Sequence, residues 1–436
     1  HDLPANIGCR TIVGRSVRTE SRGQRRFLRL GWKPDTLVGA VDLTPRMGVS
    51  SDTPNPVQSN PVYRQVSLPV HPAKHTREVV SSEISQSYPD QVESAVHPAF
   101  DWLAIARTVL RSRAIDRIEE TELVPQRKIL YQFSARGHDV AQAMLGSLLD
   151  HPHDAANGYY RSRPILLAIG LDIEEAFAGP LGRAGGFSDG RDIGVVFNRP
   201  STGGPTVLPM CGGVGAQYTP IAGWAQAIRY HAEELGDAGY AGAIAVSLGG
   251  DASVATNGFW SALTIATTLK LPMLFFIEDN GYGISVPSTL QTPGANIADN
   301  LASFGGLKLF DGDGTLPGEA ADLIHSAVSH VRGGEGPALL RLVVPRLEGH
   351  SAQDTQAYKT SEQIEEEESR DPLPRLRDYL VPAHISEDEW QSLEADVERE
   401  VAAGLDAALA RPQPDTAGIE SHRSVSYTHL RAHETN

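Results

Sequence analysis

Two short polar stretches hold residues whose chemistry can be read directly. Gly249-Gly250-Asp251-Ala252-Ser253 follows the β-branched, apolar run Ala243–Leu248, and Glu278-Asp279-Asn280-Gly281-Tyr282-Gly283 follows the apolar run Met273–Ile277. The carboxylate of Asp251 and the amide oxygen of Asn280, 29 positions later, are hard oxygen donors. With nearby backbone carbonyls they suit Mg²⁺ or Ca²⁺ held jointly with a diphosphate, and they suit zinc poorly. The glycines at both places let the backbone approach phosphate closely. Either stretch alone reads as a turn, since Gly, Asp and Asn are favoured turn residues. Together, each closing a strand of one unit, they point to a shared crevice.

The elements that must position these donors are legible around them. A helix over Pro220–Leu235 leads into the first strand. A second helix over Gly258–Leu269 separates it from the strand Met273–Ile277. A β-loop-α-β unit of this kind implies parallel strands and a right-handed crossover. In an open parallel sheet the carboxyl ends of neighbouring strands share one ligand-binding rim, so Asp251 and Asn280 fall on it together. Ala338–Val344, ending at Pro345, reads as a further strand. Trp102–Glu122 carries Leu103, Ala106, Leu110, Ile115 and Ile118 at helical spacing. His138, in Arg136-Gly137-His138-Asp139, opens a helix and is expected to cap or pack it. Gly312-Asp313-Gly314 is expected to be a turn, and His151 and His153 flank a proline with no third metal ligand near.

Composition narrows the function classes. The 436 residues include 54 acids against 38 Lys and Arg, a formal charge of −16. That balance argues against nucleic acid as a partner, because phosphate-backbone binding is driven by basic residues. Cys9 and Cys211 are the two cysteines, so a disulfide framework and a cysteine-rich zinc site are out. The apolar runs are strand-length, too short to span a membrane. An intracellular, cytoplasmic protein is expected, or a mitochondrial matrix protein if residues 1–46, Arg-rich and acid-poor, are a transit peptide rather than non-native upstream sequence. Residues 47–97 read as an extended arm, 98–381 as the α/β domain, 382–423 as a charged helical tail, and 424–436 as adaptor-derived sequence.

Residues 249–285 resemble the thiamine diphosphate motif, normally GDG, about 25–30 residues, then NN. Ala252 stands where the second Gly of GDG is usual, and Asp279 where the first Asn of NN is usual. The wider chain, from about Leu110 to Val381, is similar to the α subunit of the decarboxylating component of 2-oxo acid dehydrogenase complexes. Tyr159-Tyr160-Arg161, Gly212-Gly213-Val214-Gly215-Ala216-Gln217, Arg346-Leu347-Glu348-Gly349-His350-Ser351 and Arg370–Leu376 follow the family's order.

The resemblance implies the thiamine diphosphate-binding fold, an α/β architecture whose parallel sheet has helices on both faces. It implies thiamine diphosphate and Mg²⁺ as cofactors, with Asp251, Asn280 and the Tyr282 carbonyl as metal ligands. Arg161, with Tyr160 beside it, would meet the diphosphate, as would Ala252, Ser253 and Arg346. Gly212, Val214 and Gly215 would support the aminopyrimidine, and His350 would exchange protons. The glutamate that activates the cofactor comes, in this family, from a β-type chain. A β-type subunit or fused β half is therefore implied as a partner, along with a lipoyl-bearing acyltransferase and a small 2-oxo acid substrate. Gly281–Pro287 leans towards the branched-chain type. A pyruvate- or acetoin-type α subunit and a catalytically degenerate assembly subunit stay open. A transketolase-like transferase would call for an in-chain activating glutamate and basic acceptor-binding residues, and neither is visible.

Overall fold

The computed structural model describes residues 96–191, 194–200 and 203–418. The expected features at 1–46, most of the arm at 47–97, and 424–436 lie outside these. The centre is a six-stranded sheet in the order β2-β1-β3-β4-β8-β7, every pair parallel. Its strands are β1 (Ala155–Asn157), β2 (Thr206–Val207), β3 (Ala245–Gly250), β4 (Met273–Asp279), β7 (Lys308–Asp313) and β8 (Ala338–Val343). A small antiparallel pair, β5 (Tyr282–Gly283) and β6 (Val286–Pro287), projects beyond the end of β4.

The inner strands are apolar on both faces because both faces are covered. Val246, Leu248, Leu274, Phe276, Leu340 and Leu342 join one core. That core also takes in α1 (Trp102–Ile118), α2 (Asp139–Ser147), α3 (Arg163–Ala168) and α4 (Ile173–Ala178). Ala245, Met273, Phe275, Ile277 and Leu339 point the other way. They meet α5 (Tyr218–Arg229), α6 (Asn257–Leu269) and α7 (Ile297–Asn300). The remaining helices are α8 (Pro317–Arg332), α9 (Ser361–Ser369), α10 (Pro372–Leu380) and α11 (Glu387–Ala410). The expected α/β class, with a parallel sheet between two helical layers, is what the chain forms.

One sequence expectation shifts. Gly312 and Asp313 are the last residues of β7 and Gly314 opens the turn that follows it, so the strand runs two residues into the place read as a turn. Parallel pairing with Leu342 and Val343 extends it. The segment read as a charged helical tail is helical over α11 and packs into the main core through Trp390, Leu393, Val397 and Val401, against α1. No described helix is long and apolar enough to cross a membrane.

Candidate functional site

β3 and β4 run in register, Gly250 opposite Glu278, so the residues that follow leave the sheet side by side. Asp251 opens a short 3-10 turn, Asp251–Ala255, and Thr256 then caps α6 by accepting the N–H of Phe259. Asp251 is 4% exposed, and neither carboxylate oxygen accepts a hydrogen bond of good geometry, although the backbone N–H groups of Asp251 and Asn280 lie near enough to ease its charge. Burial, and then the charge of Asp279, push this carboxyl up to about 7. Asn280 turns back on itself, its Oδ1 accepting the Tyr282 N–H at 3.1 Å. Tyr282 faces Pro287 across the small hairpin, and proline has no N–H to give its carbonyl. Carboxylate, amide oxygen and carbonyl form a set suited to a hard divalent cation.

The two departures from the motif have physical explanations. Asp279 is buried, but it points to Arg341 of β8, whose Nε lies 2.7 Å from Oδ2, and Arg341 also reaches Asp311 at 2.8 Å. Its charge is therefore paired, though it is still felt by Asp251. Ala252 lies within the 3-10 turn, a right-handed conformation open to any residue. The methyl of Ala252 fits because its neighbour is Gly283, where a Cβ would come within 2.6 Å of it.

Asp251, Asn280 and Tyr282 line a cavity of about 470 Å³. Tyr160, Arg161, Arg346, His350, Gly212, Val214, Ala252 and Ser253 line the same cavity. Arg161 and Arg346 are 2% and 1% exposed. Arg161 donates to the carbonyls of Ser134 and, at 3.1 Å, His350. Arg346 donates to the Ile284 carbonyl at 2.9 Å and to the Tyr358 hydroxyl. Among the described residues neither guanidinium has a carboxylate within ion-pair distance. Two buried cations without a close ion-pair partner, on the same cavity as a buried carboxylate without one, describe a site complementary to a cation-bound polyanion.

His350 lies edge-on to Phe133 and Tyr160, its ring 5.4 Å from each. Burial, then Arg161 and Arg346, lower its pKa to about 4. The imidazole is therefore neutral near pH 7, able to accept a proton. Ser253 is less available than its position suggests, because its hydroxyl donates to Gly250 O at 2.6 Å and lies 2.5 Å from the Tyr218 hydroxyl. Gly215 sits behind the cavity wall. Its positive φ of +83°, and a Cβ position 2.1 Å from Thr256 Oγ1, require glycine there.

Part of the site was not anticipated. His138 makes no capping bond. It is wholly buried at the start of α2, so it packs there as expected and does not cap it, and its Nε2 lies 3.2 Å from Asn280 Nδ2, a contact with the site that was not expected. Glu278 lies beneath, accepting from Gln142 Nε2 at 3.0 Å and from the Tyr159 hydroxyl at 3.2 Å. A glutamate inside a strand otherwise buried on both faces was the available signal, since such a carboxylate must be bonded. Phe133, Val195 and Cys211 also line the cavity; no spacing rule marked them.

The profile of the family described as "Dehydrogenase E1 component" matches residues 106–417. The chain belongs to that family. It is 30% identical over 284 residues to the pyruvate dehydrogenase E1 component subunit alpha of Zymomonas mobilis, covering 64% of this chain and 75% of that one. It is 29% identical over 292 residues to the 2-oxoisovalerate dehydrogenase subunit alpha of Bacillus subtilis, covering 65% and 82%. Identity to the mitochondrial somatic pyruvate dehydrogenase E1 component subunit alpha of Homo sapiens is 27% over 276 residues, covering 62% and 66%. Dehydrogenase E1 components use thiamine diphosphate with Mg²⁺. The buried Asp251 carboxylate and the two guanidiniums without a close ion-pair partner fit that pair of groups in charge and donor type.

Proposed function

We propose that the chain is the α-type subunit of a 2-oxo acid dehydrogenase. In this reading it carries out oxidative decarboxylation, with branched-chain 2-oxo acids favoured, and passes the acyl group to a lipoyl-bearing acyltransferase together with a β-type partner. The observation that carries the reading is the Asp251–Asn280 pair on adjacent strand ends, on the same cavity as two buried guanidiniums without a close ion-pair partner. Bound thiamine diphosphate supplies an electron-accepting thiazolium. Asp251, Asn280 and the Tyr282 carbonyl hold the Mg²⁺. Arg161 and Arg346, with Tyr160, Ala252 and Ser253, receive the diphosphate. Arg161 uses the N–H groups not given to carbonyls, and Ser253 its backbone. Gly212, Val214 and Gly215 support the aminopyrimidine through backbone groups. His350 is the catalytic residue, a neutral base at the cavity wall that takes and returns a proton.

A partner is called for by what the lining lacks. Asp251 is the one carboxylate among the described residues around the cavity, so an activating glutamate must come from elsewhere. The rim is apolar and exposed, with Val214 at 57% and Ile284 at 59%, which suits burial against another chain. The leaning to branched-chain substrates rests on Gly281–Pro287 and on an apolar lining that includes Val195 and, beside His350, Phe133. Co-expression with a β-type subunit, calorimetric titration with thiamine diphosphate and Mg²⁺, and decarboxylation assays test this. Mg²⁺-dependent binding and faster turnover of 2-oxoisovalerate than of pyruvate are expected. No binding at millimolar cofactor overturns the assignment; a preference for pyruvate overturns only the substrate.

A further inference from the structure

Beneath the cation-binding rim lies a buried polar cluster to which the proposed chemistry gives no part. Resting on the reading of Asn280 as a Mg²⁺ ligand, we propose that His138 is a positioning residue that fixes which face of the Asn280 amide meets the cavity.

An amide places a donor and an acceptor on one carbon, and rotation by half a turn exchanges them. A flipped Asn280 would present Nδ2 to a divalent cation, and an NH₂ group has no lone pair to give it. In the structure Nδ2 lies 3.2 Å from His138 Nε2. The amide nitrogen donates only, so Nε2 must accept, and the ring proton is carried on Nδ1. Nδ1 lies 3.4 Å from Glu278 Oε1, an ion-pair distance without the alignment of a hydrogen bond, and both side chains are closed to water: His138 and Glu278 are each 0% exposed. Glu278 is itself held by Gln142 and Tyr159. The Glu278 carboxylate beside Nδ1 favours the tautomer that leaves Nε2 free to accept, so His138 on Nδ2 and the Tyr282 N–H on Oδ1 together hold the amide orientation.

The ring is placed by a segment locked on three sides. Arg136 pairs with Glu348 and Asp139 with Arg113. Between them Gly137 has φ +94°, and a Cβ there would lie 2.0 Å from the Pro345 carbonyl, just before Arg346. His138 is therefore seated against the base of the His350 loop as well as the cation rim.

Two measurements decide this. Ring ¹⁵N spectra of the full chain labelled at histidine, with the His138 signals assigned by loss in His138→Gln, are expected to show protonation at Nδ1; protonation at Nε2 overturns the proposal. In the complex with the β-type subunit, His138→Leu should raise the Mg²⁺ concentration for half-maximal thiamine diphosphate uptake by at least about tenfold, leaving the KM for the 2-oxo acid in place. His138→Gln, whose amide oxygen can accept from Nδ2, should recover most of that shift. An unchanged Mg²⁺ requirement in His138→Leu, or equal loss in both variants, overturns the positioning role. A wild-type complex that takes up no thiamine diphosphate overturns the proposed function instead, and the tautomer still decides the orientation.

Discussion

Burying the Asp251 carboxylate without a hydrogen bond of good geometry or a cation costs on the order of several kcal/mol, which its raised pKa expresses as a preference for the proton. Mg²⁺ bound to the diphosphate would replace that proton. Asp251→Asn keeps the shape and loses the charge. It is expected to weaken Mg²⁺-dependent cofactor binding by at least about 100-fold, read by calorimetry, with the far-ultraviolet circular dichroism unchanged. His350 shows the opposite displacement. Its folded pKa, about 4, lies below the ordinary histidine value of about 6.5, so the unfolded chain takes up the proton first. The contribution of this residue to stability is lost as pH falls from about 6.5 towards 4. An NMR titration of the His350 ring in the cofactor-free chain should give a midpoint well below 6. Arg161→Gln, which removes one repelling cation, should raise it.

At the scale of elements, the neighbouring strands β4 and β8 decide how an unusual acid is tolerated. Arg341 is paired with both Asp279 and Asp311, and Asp279 lies close enough to Asp251 to raise its pKa. Arg341→Met would leave Asp279 buried and unpaired beside the diphosphate. Cofactor affinity is then expected to fall by about tenfold, and Asp279→Asn in the same chain should restore most of it, a coupling of ordinary size for contacting residues. Titration of the four members of that cycle checks it, and simple additivity would show that the pair is independent of the site. A second buried cluster joins the helices: Arg163 of α3 bonds Asp116 of α1 at 2.5 Å and Glu119 at 2.7 Å. It ties the first helix to the segment that carries Tyr160 and Arg161.

For the whole molecule, the family match runs to residue 417, and α11 is part of the core instead of an appendage. Trp390, Leu393, Val397 and Val401 are buried among α1 and its neighbours. Ending the chain after Val381 removes four large apolar side chains, each contributing roughly 1.5–3 kcal/mol by burial. Against a domain stability of about 5–15 kcal/mol, the truncated chain is expected to expose its core, checked by dye binding and limited proteolysis. A stable, compact product would show that α11 merely rests on the domain.

The sequence alone determined the sheet's inner strands, the crossover between them and the pairing of Asp251 with Asn280. Each rests on short-range information: apolar runs of strand length, turn residues at their ends, and the rule that parallel strand ends share a rim. The α11 packing was not legible, because amphipathic spacing tells which helix face is apolar but not what covers it. Nor was the placing of His138 beneath Asn280, 142 positions away, or of Arg341 beside Asp279. Only the tertiary structure decided those, because the partner of a buried polar group is fixed by which elements meet in space.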